Sequence, residues 1–280
     1  MTNGRPLTFT LDLEDHTLGA NPACRYQTNG RAILEHLEKL GARATIFIVG
    51  DLVASCRALI QEAVASGHEL ALHSATHTPL TQESGAALRP KLVDAKSLLE
   101  DAAGEAVSGF RAPVFSLTAD TVWVSDLLAE LDFKYSSSVL PAANPLFGLP
   151  GAPRAPFAWP SGIIELPAPV VHLGPLRIPA IGGIYLRYLP GLLQAAVVRA
   201  IAPEVLLWSY IHPYDIDDTE PYFRFPGTSA AMSLLLWRNR RATLRKIERL
   251  AASSGIETGA PLRERVEAMK PDQLQVFEPD

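Results

Sequence analysis

Cysteine is nearly absent, with only Cys24 and Cys56 in 280 residues. Two residues give neither a disulfide framework nor a zinc-knuckle spacing, so both are expected to be free thiols. No uninterrupted apolar run reaches membrane-spanning length, so no integral membrane segment is expected. The start, Met-Thr-Asn-Gly-Arg-Pro, shows no basic region followed by an apolar stretch and a small-residue cleavage site. No signal peptide is therefore visible, and a cytoplasmic location is expected. Charge of one sign is lacking as well: 25 Lys and Arg against 30 Asp and Glu leave a net charge of −5. With no long basic run, that balance argues against nucleic acid as the principal partner. Internal repeats and low-complexity tracts are also missing.

What is present is apolar residue, 48% of the chain. At this length it suffices for one large core, which favours one barrel-type domain over two small ones. Strand and helix signals alternate through the first half. Leu7–Leu13, Ala44–Val49, Glu69–Leu72, Val107–Phe110 and Phe133–Tyr135 read as strands. Asn29–Leu40, Ser55–Ser66, Ala86–Ala103 and Thr118–Leu131 carry helical spacing between them. Such β-α-β-α alternation implies parallel strands with helices outside. Residues 141–190 are rich in proline and glycine and read as an extended insertion of loops and short strands. Regularity returns with a helix at Leu189–Ala200, a strand at Val205–Ile211 and a long helix at Ala230–Ala252. The basic run Arg238-Asn-Arg-Arg241 within that helix reads as a solvated face. One domain over 1–255 is expected, followed by a polar tail, 256–280, poorly ordered at its end.

Polar residues recur where these strands end. His73 and His77 follow Glu69–Leu72, four residues apart. Neutral imidazole is the commonest ligand for zinc-like ions, and the pair can turn toward one point if the chain coils after the strand. The cluster Asp12-Leu-Glu14-Asp15 closes the first strand and offers a carboxylate. Two imidazoles and one carboxylate leave positions open on a metal, as a catalytic site requires. Arg111-Ala-Pro113 and His212-Pro-Tyr-Asp215 end two further strands, which implies one shared site at one face of a sheet or barrel.

Taken together, the acidic cluster, Ala44–Gly50, Gly67-His-Glu-Leu-Ala-Leu-His-Ser-Ala-Thr-His77, Gly109-Phe-Arg-Ala-Pro113 and Tyr210-Ile-His-Pro213 resemble the NodB-type polysaccharide deacetylases, carbohydrate esterase family 4. The exopolysaccharide-associated branch is the most similar, through its Asp-x-Glu-Asp, and Gly182-Gly-Ile-Tyr-Leu-Arg-Tyr-Leu-Pro190 also looks like that branch. The resemblance runs from about Leu7 to Asp215. It implies a distorted (β/α)7–8 barrel and metal-dependent removal of acetyl groups from an N-acetylated sugar. By position it implies Asp15, His73 and His77 as metal ligands, Glu14 at the family's aspartate general base, Arg111 as the arginine that tunes that base, and His212 as the general acid. The ion would be zinc first, with cobalt, nickel or manganese open.

Departures from the family pattern leave alternatives open. Asp12 is an additional candidate for the base, and by strand periodicity Asp12 and Glu14 share a face while Asp15 does not, so Glu14 is an alternative metal carboxylate. After Pro113 come Val114 and Phe115 instead of the usual tyrosine; with Tyr214 these are the expected substrate contacts, and a backbone N–H near Pro113-Val114 is the expected oxyanion donor. Ser136-Ser-Ser138 replaces the branch's Asp-Ser-Ser, so Asp215 or Asp217 would have to tune the acid. Trp159, Tyr185 and Tyr214 are candidates to stack on sugar rings. A metal-dependent amidohydrolase or deformylase on a small-molecule or lipid-linked amide, and a sugar-binding relative without catalysis, are the alternative functions. Oligomeric state is not readable from the sequence.

Overall fold

A computed structural model describes residues 4–17, 24–144, 147–173, 176–179, 181–225, 228–253 and 255–279. The first strand, β1 (Arg5–Leu13), sets the organisation by alternation. Leu7, Phe9, Leu11 and Leu13 face outward into the layer of helices, while Thr8, Thr10 and Asp12 are buried on the opposite face. β2 (Thr45–Ile48), β3 (Glu69–Leu72), β4 (Gly109–Phe110) and β5 (Tyr135–Ser136) follow in parallel register. Between them run α1 (Arg25–Lys39), α2 (Arg57–Ala65), α3 (Gly85–Ala103) and α4 (Val124–Glu130).

Residues 141–190, expected as an insertion of loops and short strands, add strands to the barrel sheet itself. They supply β6 (Phe157–Ala158) and β7 (Ile164–Glu165), and β7 pairs in parallel with β5, continuing the wall. A small hairpin, β8 (Val171–Leu173) and β9 (Leu176–Ile178), and the helix α5 (Gly183–Tyr188) come next. After α6 (Gln194–Ala200), β10 (Leu207–Ile211) returns beside β1, which gives the strand order β10-β1-β2-β3-β4-β5-β7-β6. Strand pairing does not join the two ends of this order among the described residues. The curl is bridged instead by a side chain, as Trp208 Nε1 of β10 donates to Pro167 O beyond β7 at 3.1 Å. The result is a curled, incompletely closed (β/α) barrel, with the parallel strands that the alternation predicts and the distortion that the resemblance implies.

Two further expectations change. The helix expected over 230–252 is two, α7 (Ala230–Trp237) and α8 (Thr243–Ala251). Asn239 takes a left-handed backbone (φ 60°), and the turn drives Arg240 inward, where it pairs with Glu220 at 2.7 Å. A solvated face therefore describes Arg238 and Arg241 but not Arg240. The segment after Gly255, expected as a polar tail poorly ordered at its end, begins with elements that pack on the barrel. There β11 (Ile256–Thr258) pairs with β1, and α9 (Leu262–Glu267) buries Leu262 and Val266 against the barrel floor. Glu69 holds that floor, accepting from Thr45 Oγ1 (2.7 Å), Tyr135 OH (2.7 Å) and Arg263 N–H (2.9 Å). Both cysteines are free thiols.

Candidate active site

The upper end of the barrel is built by continuing strand geometry one or two residues past each strand. His73 is the first residue after β3, and its N–H still donates to Ile48 O of β2 (2.8 Å). Ser74 then adopts φ 62°, a left-handed conformation that turns the chain and returns His77 beside His73, ring centroids 5.2 Å apart. Arg111 extends β4 in the same way, its N–H donating to Leu72 O (2.9 Å). Its carbonyl in turn accepts from His73 Nδ1 (3.0 Å). A carbonyl can only accept, so Nδ1 carries the hydrogen and Nε2 is left as a lone pair facing the site, the arrangement a metal-ligating histidine needs.

The carboxylate that meets these imidazoles is Glu14. Its Oε2 lies 2.5 Å from His77 Nε2 and 3.8 Å from His73 Nε2. One ligand atom from each of the three falls within 4.8 Å of the others. Asp15, the ligand implied by the resemblance, is outside this group: its Oδ1 accepts from Thr17 N–H (2.9 Å) and Thr17 Oγ1 (2.5 Å). The cause is the period of two in β1, which keeps Glu14 in phase with Thr10 and Asp12 and turns Asp15 aside. Burial opposes ionisation of Glu14, yet the adjacent His77, with His73 and His212, holds its carboxyl well below the usual range. An ionised carboxylate and two imidazoles are a nitrogen-and-oxygen donor set that fits a zinc-like dication with open positions.

Beside this triad Asp12 sits in a separate charged network. Arg111 Nη1 donates to Asp12 Oδ1 (2.5 Å) and to Thr10 Oγ1 (2.8 Å), while Nε and Nη2 donate to Ser137 O (3.2 Å) and Ser137 Oγ (3.0 Å). The guanidinium is fully buried between the rings of Phe47 (3.9 Å) and Trp208 (4.4 Å). An arginine so enclosed depends on its carboxylate partner, and removing either leaves an uncompensated buried charge. Arg111→Met is therefore expected to destabilise the fold by about 3–5 kcal/mol, read as a lowered denaturant midpoint. An unchanged midpoint would mean that the pair contributes nothing.

His212 enters from the end of β10. Its Nδ1 and its backbone N–H both donate to Asp215 Oδ2 (2.9 and 2.8 Å), which leaves Nε2 directed at the cavity, 3.9 Å from Asp12 Oδ2. Burial alone would lower the imidazole pKa, but Asp215 and, farther off, Glu14 and Asp12 outweigh it and raise it to about 9. Tyr214 stacks on His212 at 4.8 Å. Asp217, the other aspartate considered for this task, is committed elsewhere, to Arg25 and Asn29 (2.9 Å).

Asp12, Glu14, His73, His77, Arg111, His212, Val114, Phe115 and Tyr214 line one cavity of about 70 Å³. That is room for about two waters or a small acyl group, so anything larger must lie across the rim. Pro113 is buried and is not among the lining residues. Val114 and Phe115 hold consecutive left-handed conformations (φ 50° and 54°), an arrangement that costs about 1–3 kcal/mol per residue and clusters at functional sites. Trp159 is buried with its Nε1 donating to Glu165 (3.2 Å), so it is core and not a sugar platform; Tyr185 does not line the cavity. Arg187, given no role from the sequence, pairs with Asp215 at 2.8 Å. The motif around it was visible, but nothing in it signalled which way the side chain would turn.

Comparison with known proteins is consistent with this geometry. Residues 8–135 match the family model for polysaccharide deacetylase, and residues 137–258 match a domain of unknown function, DUF3473. A bifunctional xylanase/deacetylase of Pseudobutyrivibrio xylanivorans is 36% identical over 86 residues, which is 30% of this chain and 14% of the relative. A chitooligosaccharide deacetylase of a Bradyrhizobium species is 31% identical over 112 residues, 40% of this chain and 46% of the relative. The chain thus spans less than half the length of either. A crystal structure from Mycobacterium smegmatis, provisionally assigned as a polysaccharide deacetylase, superposes with a TM-score of 0.66 at 19% identity, covering 100% of this chain and 96% of the other. At that identity the superposition establishes the fold. Among the described residues no helix is long and apolar enough to cross a membrane.

Proposed function

We propose that this chain, which belongs to the NodB-type polysaccharide deacetylases of carbohydrate esterase family 4, is a metal-dependent hydrolase that removes an acetyl group from an N-acetylated sugar of a polysaccharide or its precursor. One observation carries the reading: Glu14, His73 and His77 present their ligand atoms within 4.8 Å of one another, in a cavity shared with Asp12, Arg111 and His212. Glu14, His73 and His77 would hold the ion, Glu14 taking the place that the resemblance gave Asp15 and Asp12 the place it gave Glu14. Once bound, a zinc-like dication polarises an amide carbonyl and lowers the pKa of water toward neutrality.

The remaining chemistry falls to the chain. Asp12 is the general base: Arg111 fixes its Oδ1, and Oδ2 is left toward the cavity to take the attacking water's proton. The Phe115 N–H is already committed to Ala112 O (3.3 Å), so the Val114 N–H is the backbone donor assigned to the developing oxyanion. His212 protonates the departing amine from Nε2. An amine cannot leave as an anion, so this proton transfer is obligatory.

With its pKa raised to about 9, His212 is protonated at neutral pH and ready to act as an acid. Turnover of an amide should fall as pH rises through that value. In Asp215→Asn the main charge supporting the imidazolium is gone, so the alkaline limb of kcat/KM should move to lower pH. A limb that stays in place would remove His212 from the role of acid. Acetate release from N-acetylglucosamine oligomers by the zinc-loaded protein tests the reading as a whole, and no release from any acetylated sugar in a panel would sink it.

A further inference from the structure

Resting on that reading, we infer that Arg187 is a positioning residue for the reaction: through its ion pair with Asp215 it holds the carboxylate that aims His212. Arg187 is not among the residues that line the cavity. Its Nε faces Asp215 Oδ1 at 2.8 Å, while the other oxygen, Oδ2, receives both His212 donors. Each oxygen of one carboxylate is thereby assigned, one to the arginine and one to the histidine. Both Arg187 and Asp215 are about 99% buried. In such a place a carboxylate without its counter-charge takes up a proton or turns away, and either change frees the imidazole.

The arginine is itself anchored. Its Nη1 donates to Leu236 O and Arg238 O, both at 2.7 Å, at the C-terminal end of α7, where helix carbonyls lack internal partners. The local sequence explains how it gets there. A Cβ on Gly182 would lie 2.1 Å from the Tyr210 ring, and one on Gly183 would lie 2.7 Å from it. Only glycines let the start of α5 seat against β10 so closely. Arg187, four residues after Gly183, faces the same side one turn later, directly behind Asp215.

Leaving-group chemistry separates positioning of the acid from a merely structural role. A sugar amine must be protonated to depart, whereas nitrophenolate leaves 4-nitrophenyl acetate unaided. Zinc-loaded Arg187→Met should therefore lose turnover of N-acetylglucosamine oligomers at least tenfold more than turnover of the ester, with zinc affinity within threefold of the parent protein. Equal loss on both substrates would overturn the inference. Should Arg187→Met fold poorly, the Arg187→Met/Asp215→Asn pair removes both buried charges at once. Its amide-to-ester ratio should equal that of Asp215→Asn alone, and a further independent drop would overturn the coupling. If the parent protein itself turns over neither substrate, the proposed function fails and Arg187 is judged by NMR. The His212 Nδ1 proton resonance should then be lost in Arg187→Met and kept in Arg187→Lys, and its persistence in Arg187→Met would overturn the inference.

Discussion

His77→Ala is expected to weaken zinc binding by more than 100-fold and to abolish acetate release. The magnitude follows from position. Loss of a residue that only supports a metal ligand already costs about 10–100-fold, and His77 offers a ligand atom itself. Its Nε2 lies closer to Glu14 than does that of His73, 2.5 against 3.8 Å, so its removal opens the triad at its tightest edge. Titration calorimetry with zinc and an acetate assay read the two effects separately. The same pair of measurements decides which carboxylate belongs to the ion. Glu14→Gln should follow His77→Ala, while Asp15→Asn should leave zinc affinity nearly unchanged, because Asp15 is turned toward Thr17. Tight zinc binding by Glu14→Gln would refute the assignment made here.

The second large effect is expected at Asp12. Asp12→Asn keeps the size of the side chain and removes its ability to take a proton, so amide turnover should drop by about 10²–10⁴-fold. Zinc affinity should hold, because Asp12 is outside the ligand triad. Loss of catalysis with retention of metal is the signature of a base, and the two lost together would make Asp12 a ligand. The variant also leaves the buried Arg111 facing a neutral partner, so some loss of stability is expected alongside. Measuring kcat on the metal-saturated, folded fraction separates the two consequences.

The two family models divide the chain at residues 135–137, but the barrel does not divide there. β5, at the end of the first segment, pairs with β7 in the second, and β10 of the second lies against β1 of the first. The site is assembled in the same way. The proposed metal triad, base and arginine come from residues 12–111, and the proposed acid with its aspartate and arginine from 187–215. Neither segment alone holds both ends of the proposed reaction. That is the physical case for treating the second segment as part of the catalytic unit.

Much of this protein was determined by sequence alone, and the reason is local. Alternation of apolar and polar residues in Arg5–Leu13 decides which face meets the helices, and the same period places Asp12 and Glu14 in phase and Asp15 out of it. Positional likeness to relatives points to Asp15, whereas the pleat of the strand turns Glu14 toward His73 and His77. The residues that end the strands, His73, Arg111 and His212, were legible because parallel barrels gather strand ends at one face. Other features were decided only by the tertiary structure, because they depend on partners far along the chain. Arg240 breaks the expected helix over 230–252 because Glu220 waits inside. The segment after Gly255 is ordered because the floor of the barrel offers Glu69 and Thr45 to its backbone. Arg187 stands behind the proposed acid because two glycines let its helix approach Tyr210. A buried charge is placed by whatever neutralises it, and that partner's distance in sequence is set by the fold alone.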